Sequence, residues 1–187
     1  MPTWSRRRAS LSTHRAGLPD LFAQPASEDR YAASGEGADA SWLAERGWSV
    51  TGIDFSTVAL ERAAKHAATV GVGGHIEWRA LDVRTFDPGP EDSAKRWDLV
   101  TSQVMHLPDG EMVDLTRRLG AAIAPDGTLI VVGHHPDDLM TGLRHGRRKF
   151  LVTPEDLMPA LDLEGWTVEV VGARNRMMAW PDGKQVS

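Results

Sequence analysis

Two glycines one residue apart, Gly35 and Gly37, and two aspartates, Asp54 and Asp82, have the types and spacing in this chain that could do chemistry. In Ser34-Gly35-Glu36-Gly37 the glycines leave no Cβ between backbone and ligand, so a turn can close tightly against a nucleotide-like cofactor. The amphipathic stretch that follows, through Ala38, Trp42 and Leu43, would aim its N-terminal amides at the anionic end of that ligand. Asp54 closes the run Val50-Thr51-Gly52-Ile53-Asp54, and a carboxylate at a strand tip can accept hydrogen bonds from both hydroxyls of a ribose. This is the grip of a nucleoside cofactor.

Three other clusters carry titratable groups. His106, in Met105-His106-Leu107-Pro108, is a candidate catalytic residue. An imidazole with a pKa near ~6.5 can take a proton from a nucleophile, or can simply orient a substrate. His134-His135-Pro136-Asp137-Asp138 invites a metal, but adjacent histidines in an extended segment point to opposite faces and do not naturally share one ion. No metal site is therefore expected, and lining a substrate pocket is the better functional role. Arg144, Arg147, Arg148 and Lys149 would either attract an anionic substrate or form a solvated loop.

The elements that must hold these residues follow from periodicity. Residues 48–53 read as a strand after a left-handed cap at Gly47. Ser56 caps a helix whose apolar positions Ala59, Ala63, Ala67 and Val70 recur at 3.6-residue spacing. Residues 75–80 alternate as a half-exposed edge strand, 97–102 and 128–133 are apolar strands, and 165–171 is a further one. Met112, Leu115, Leu119, Ala122 and Ile123 line a helix closed by Pro125-Asp126-Gly127, and Thr153-Pro154 opens another. Trp42, Trp48, Trp78, Trp97 and Trp166 fall mostly on core positions. Strands alternating with helices at this spacing mean α/β: a three-layer α/β/α Rossmann-like sandwich on a mostly parallel sheet.

The 187 residues suit one domain, placed at 33–187 after an atypical or disordered segment at 1–32. A net charge of −5 gives no support for bulk nucleic-acid binding, and no run approaches the ~18 apolar residues of a membrane span. The absence of cysteine excludes disulfides, zinc–thiolate sites and a Cys nucleophile, and fits a cytoplasmic location. Arg6-Arg7-Arg8 hints at a twin-arginine signal, but no apolar h-region follows it. The expected partner is a small-molecule substrate, with oligomeric state open.

In order and spacing, Gly35-Glu36-Gly37, Asp54, Asp82-Val83, Trp97-Asp98-Leu99-Val100 and Ala124-Pro125-Asp126-Gly127-Thr128-Leu129 resemble a class I S-adenosylmethionine-dependent methyltransferase. The flavour is similar to the small bacterial thiopurine and tellurite-resistance enzymes, over residues 33 to about 183. The resemblance implies S-adenosyl-L-methionine as cofactor and methyl transfer to a small nucleophile. It also implies a site in which Ser34, Gly35, Glu36 and Gly37 pass under the methionine part and Asp54 binds the ribose. Phe55 belongs to the same site. Asp82 would meet the adenine amino group and Val83 the ring edge, while Gln103 would touch the methionine.

The departures carry their own expectations. The family's first strand is an apolar run ending in an acid, whereas residues 26–33 hold no β pattern and Tyr31 stands at the acid's place. The returning strand that inserts beside the family's fifth is nearly absent, although Trp180-Pro181-Asp182-Gly183 carries a hairpin signal. A sheet incomplete at both ends, and a chain that methylates poorly or not at all, are therefore expected, with Leu18-Pro19-Asp20-Leu21-Phe22 as the only apolar filler. An Arg/Ser/Pro-rich start before the abrupt return of pattern at Ala33 is what a shifted reading frame or mis-called gene start would leave. Two alternatives stay open. One is a non-catalytic methyltransferase-like fragment. The other is a dinucleotide-binding oxidoreductase, since Gly35-x-Gly37-x-x-Ala40 also fits that fingerprint; the second carboxylate at Asp82 speaks against it.

Overall fold

The computed structural model describes residues 7–12, 30–33, 37–87, 96–141, 147–161, 163–173, 178–179 and 185–186. Its strands are β1 (Arg7–Ser12), β2 (Arg30–Ala33), β3 (Ser49–Asp54), β4 (Ile76–Ala80), β5 (Trp97–Gln103), β6 (Ile123–Val132) and β7 (Trp166–Gly172). Its helices are α1 (Ala38–Ala44), α2 (Thr57–Thr69), α3 (Glu111–Ala121) and α4 (Pro154–Leu157). The seven strands form one sheet in the order β4-β3-β2-β5-β6-β1-β7, and every pairing in it is parallel.

Local chemistry explains the elements beside the site. The Ser56 hydroxyl accepts the N–H of Ala59 at 3.3 Å, so α2 starts where an N-cap residue stands. Its buried residues Leu60, Ala63 and Ala67 follow the 3.6-residue period. Thr153 and Asp156 form a reciprocal capping box ahead of Pro154, which starts α4. Apolar side chains alternate across the central strands. Val100, Leu129 and Val131 join Met112, Leu115, Leu119 and Leu157 on one face, while Leu99, Ile130 and Val132 join Ala40, Leu43 and Trp48 on the other. Both faces of the sheet are thus packed, as continuous apolar parallel strands require.

The expected gaps are filled, by segments that sequence pattern had passed over. Arg30–Ala33 stands at the centre of the sheet, with Tyr31 and Ala32 paired to Val50 and Thr51 of β3 and to Leu99 and Val100 of β5. Two apolar neighbours with open edges recruit a strand through its backbone, whatever its own propensity. The place of the family's returning strand, between β6 and β7, is taken by Arg7–Ser12. Its Ala9 and Leu11 are fully buried, an alternation hidden in the sequence among arginines and serines. Leu18-Pro19-Asp20-Leu21-Phe22 lies outside the described residues. So do the turn residues Trp180-Pro181-Asp182-Gly183, but the strands flanking them, β8 (Met178–Ala179) and β9 (Gln185–Val186), pair antiparallel as a separate hairpin.

Chain order runs outward from β2 through β3 to β4, and the other way from β5 to β6. The topological switch point is therefore the crevice between the carboxyl ends of β2 and β5, where open α/β sheets hold their ligands.

Candidate functional site

Gly37 stands directly before α1 with φ +80, a conformation that costs glycine nothing. A Cβ there would lie 2.6 Å from the Cβ of Ala63 and 2.8 Å from Cη2 of Trp78. The missing side chain of Gly37 thus makes room for the protein's own core, which corrects the expectation that it leaves space for a ligand. Ser34, Gly35 and Glu36, the rest of the predicted loop, lie outside the described residues.

Asp54 closes β3, half-buried, and its Oδ1 accepts the N–H of Ser56 at 2.8 Å. One carboxylate oxygen is thereby fixed by the start of α2. The next residue, Phe55, is 82% exposed. The backbone brings Asp82 alongside: the Asp54 carbonyl accepts the N–H of Leu81 at 3.0 Å, and Ala80 pairs with Asp54 across the ladder.

Asp82 itself is engaged. It caps the 3-10 turn Val83–Thr85 by accepting the Arg84 N–H at 2.9 Å, and the Arg84 guanidinium grips both its oxygens at 2.6 to 3.0 Å. These contacts, the side-chain one foremost, hold the Asp82 carboxyl below its ordinary range and raise Arg84. With the folded value depressed, the pairing is present above the usual aspartate pKa of ~3.9 and is lost as the solution is acidified through the folded value. Val83 packs partly buried against the α3 side of the core, and its carbonyl accepts Arg118 of α3 at 3.2 Å.

At the other wall of the crevice, Gln103 ends β5 in register with Val132. Val104 follows with φ +58, while its N–H donates to the Val132 carbonyl at 2.7 Å and its side chain is 54% exposed. A β-branched residue in the left-handed region is strained, and such strain gathers at ligand sites. Val104→Asn, which tolerates that region and gives up little packing, should stabilise the chain by about 1 kcal/mol. A thermal melt checks this: an unchanged or lower Tm would mean that Val104 is not strained.

The two histidines weighed separately in the sequence come together here. The rings of His106 and His134 stack at 5.0 Å between centroids and 27° between planes, with His106 lying over Gly133. His134 Nδ1 stands 3.5 Å from an Asp138 carboxylate oxygen, while His135 turns to Asp137, whose N–H reaches His135 Nδ1 at 3.2 Å. The adjacent histidines have different partners, and no group of three or more candidate metal ligands occurs among the described residues. Beside His106 a small apolar cleft opens between Met105, Met112, Val131, Val152 and Leu157. The basic loop is pinned near it: Lys149 pairs with Asp109 at 3.1 Å, and Arg148 donates to the Leu151 carbonyl at 2.6 Å. Arg144 lies outside the described residues.

The sequence matches a protein family described as a methyltransferase domain over residues 32–127. It is 33% identical, over 90 residues, to the ubiquinone biosynthesis O-methyltransferase of Actinobacillus pleuropneumoniae serotype 5b (strain L20). That match covers 46% of this chain and 37% of the relative, so the chain spans well under half of that enzyme's length. Among solved structures, the CcbJ methyltransferase from Streptomyces caelestis is similar with TM-score 0.51 and 24% identity, over 59% of this chain and 45% of that one. The [4+2]-cyclase SpnF is similar with TM-score 0.55 and 22% identity, over 76% of this chain and 54% of that one. At such identities the likeness is one of fold, and the fold serves more than one reaction. No helix among the described residues is long and apolar enough to cross a membrane.

Proposed function

The chain belongs to the methyltransferase domain family, and on that footing we propose that it binds S-adenosyl-L-methionine at the carboxyl edge of the sheet and methylates a small-molecule nucleophile. The observation that carries this reading is the tip of β3. There a half-buried carboxylate, Asp54, is fixed by the Ser56 amide beside Phe55, an aromatic ring left 82% exposed. A large apolar side chain in water next to an oriented acid marks a surface meant to be covered. Val104, Val58 and Met140 leave further apolar surface near the same edge, just past β5, at the start of α2 and after β6.

In this reading Asp54 accepts from the ribose hydroxyls and Phe55 covers the purine. The Val83 amide faces the ring edge, and Asp82 presents an acceptor whose orientation Arg84 sets. Ser34, Gly35, Glu36, Gly37 and Gln103 enclose the methionine part. When bound, the cofactor supplies an electrophilic methyl on a sulfonium, so alignment and exclusion of water can do most of the work for a sulfur or nitrogen nucleophile. His106, beside the apolar cleft, orients the acceptor and can take its proton where the nucleophile carries one.

Calorimetric titration with S-adenosylhomocysteine, using NAD as the competing ligand, tests the proposal. Binding of S-adenosylhomocysteine is expected, and Asp54→Ala should weaken it by roughly 1.5–3 kcal/mol, because a charge-assisted acceptor for two hydroxyls is lost. Unchanged affinity in that variant would move the site elsewhere. Heat from NAD alone would favour the dinucleotide reading.

A further inference from the structure

β4 is an edge strand of the sheet, yet one of its side chains reaches under both β3 and the start of α1. Trp78 lies in register with Gly52 of β3, and a Cβ on Gly52 would stand 2.4 Å from both Cε3 and Cζ3 of the indole. The far corner of the same ring, Cη2, is the atom that would stand 2.8 Å from a Cβ on Gly37, with Ala63 of α2 closing the socket at 2.6 Å. Gly52 has no left-handed φ. Its backbone therefore does not call for glycine; the indole does.

We propose that Trp78 is a positioning residue: its ring sets the spacing between the strand that ends in Asp54 and the start of α1 at Gly37, and through that spacing the affinity of a cofactor site lined by others. The inference rests on the reading of the site given above. Gly52 lies two residues before Asp54, and Gly37 directly follows Ser34-Gly35-Glu36, so one rigid ring touches both carriers of the grip. An indole is planar, with only two side-chain torsions, and transmits position where a flexible side chain would give way. Its length matters as well. One six-membered ring makes both contacts, with Cε3 and Cζ3 over Gly52 and Cη2 at Gly37; a phenyl ring at position 78 is shorter and draws back from both, most from Gly37, the farther of the two. Restoring that spacing once the ring is gone is a cost charged to ligand binding.

The test compares Trp78→Phe with Trp48→Phe, since Trp48 is buried in the same core cluster and supplies none of the nearest atoms at Gly37 or Gly52. For each purified chain the melting temperature and the Kd for S-adenosylhomocysteine are measured separately. Trp78→Phe should weaken binding about tenfold, and Trp48→Phe should lower Tm while leaving Kd within about twofold. A size-compensated pair, Trp78→Leu with Gly52→Ala, refills the strand contact but not the one under Gly37. It should recover Tm relative to Trp78→Leu alone without recovering affinity. Wild-type affinity in Trp78→Phe, or recovery of both quantities in the pair, would reduce Trp78 to a packing residue while leaving the cofactor reading intact. A wild-type chain that binds no S-adenosylhomocysteine would overturn that reading and this inference with it.

Discussion

Gly37→Val is expected to remove the cooperative thermal transition of the chain, or to lower its Tm by tens of degrees. Two costs add at this position. A β-branched residue at φ +80 pays about 1–2 kcal/mol for the left-handed conformation. Its Cβ would also stand 2.6 Å from Ala63 Cβ and 3.3 Å from Ala63 Cα, and a helix backbone atom cannot rotate out of the way. Overpacking of a core typically costs about 1–3 kcal/mol when neighbours can yield, and more when they cannot. Against a domain stability of about 5–15 kcal/mol the sum is large. Circular dichroism against temperature reads the outcome, and Gly37→Ala should fall between wild type and valine. If the valine variant melts like wild type and loses only S-adenosylhomocysteine binding, then the Cβ of residue 37 points into ligand space after all.

That position also shows where sequence reading stops. The glycine spacing marks a turn, but what requires glycine at 37, besides its φ of +80, is Ala63 and an indole forty-one residues further along the chain. No local pattern encodes that contact. The Ser56 cap, the Ala63 and Ala67 stripe and the edge character of β4 were legible, because each is set by neighbours within a turn or two of chain. The Asp82–Arg84 pair is equally local, two residues apart, and could have been read from spacing alone. The His106–His134 stack was within reach by a longer route. Once 97–102 and 128–133 are taken as adjacent parallel strands, the residues shortly past their ends must meet. β1 and β2 were not legible. Arg30-Tyr31-Ala32-Ala33 carries no alternation, since pairing on both sides comes from its neighbours and not from itself.

For that reason the most exposing substitution lies in β2. Ala32→Pro should destroy the fold as thoroughly as Gly37→Val, through the backbone alone. Ala32 pairs with Thr51 of β3 on one side and Val100 of β5 on the other, so its N–H faces a strand whichever way it points. Proline deletes that donor and inserts a ring between strands ~4.8 Å apart, which central strands essentially never accommodate. A loss of about 3 kcal/mol or more is the expected scale, since in a helix interior the same residue already costs that much by the same two effects. The consequence reaches the site, because β2 ends at the topological switch point, one residue before Ser34 in the sequence. Hydrogen exchange on the unmodified chain gives the second reading: the amides of residues 31–33 should exchange as slowly as those of Leu99 and Val100. Rapid exchange there, together with a proline variant that melts like wild type, would show that the centre of the sheet stands open in solution. The glycine turn would then have no strand behind it, and the weak or absent methyl transfer expected from the sequence would follow.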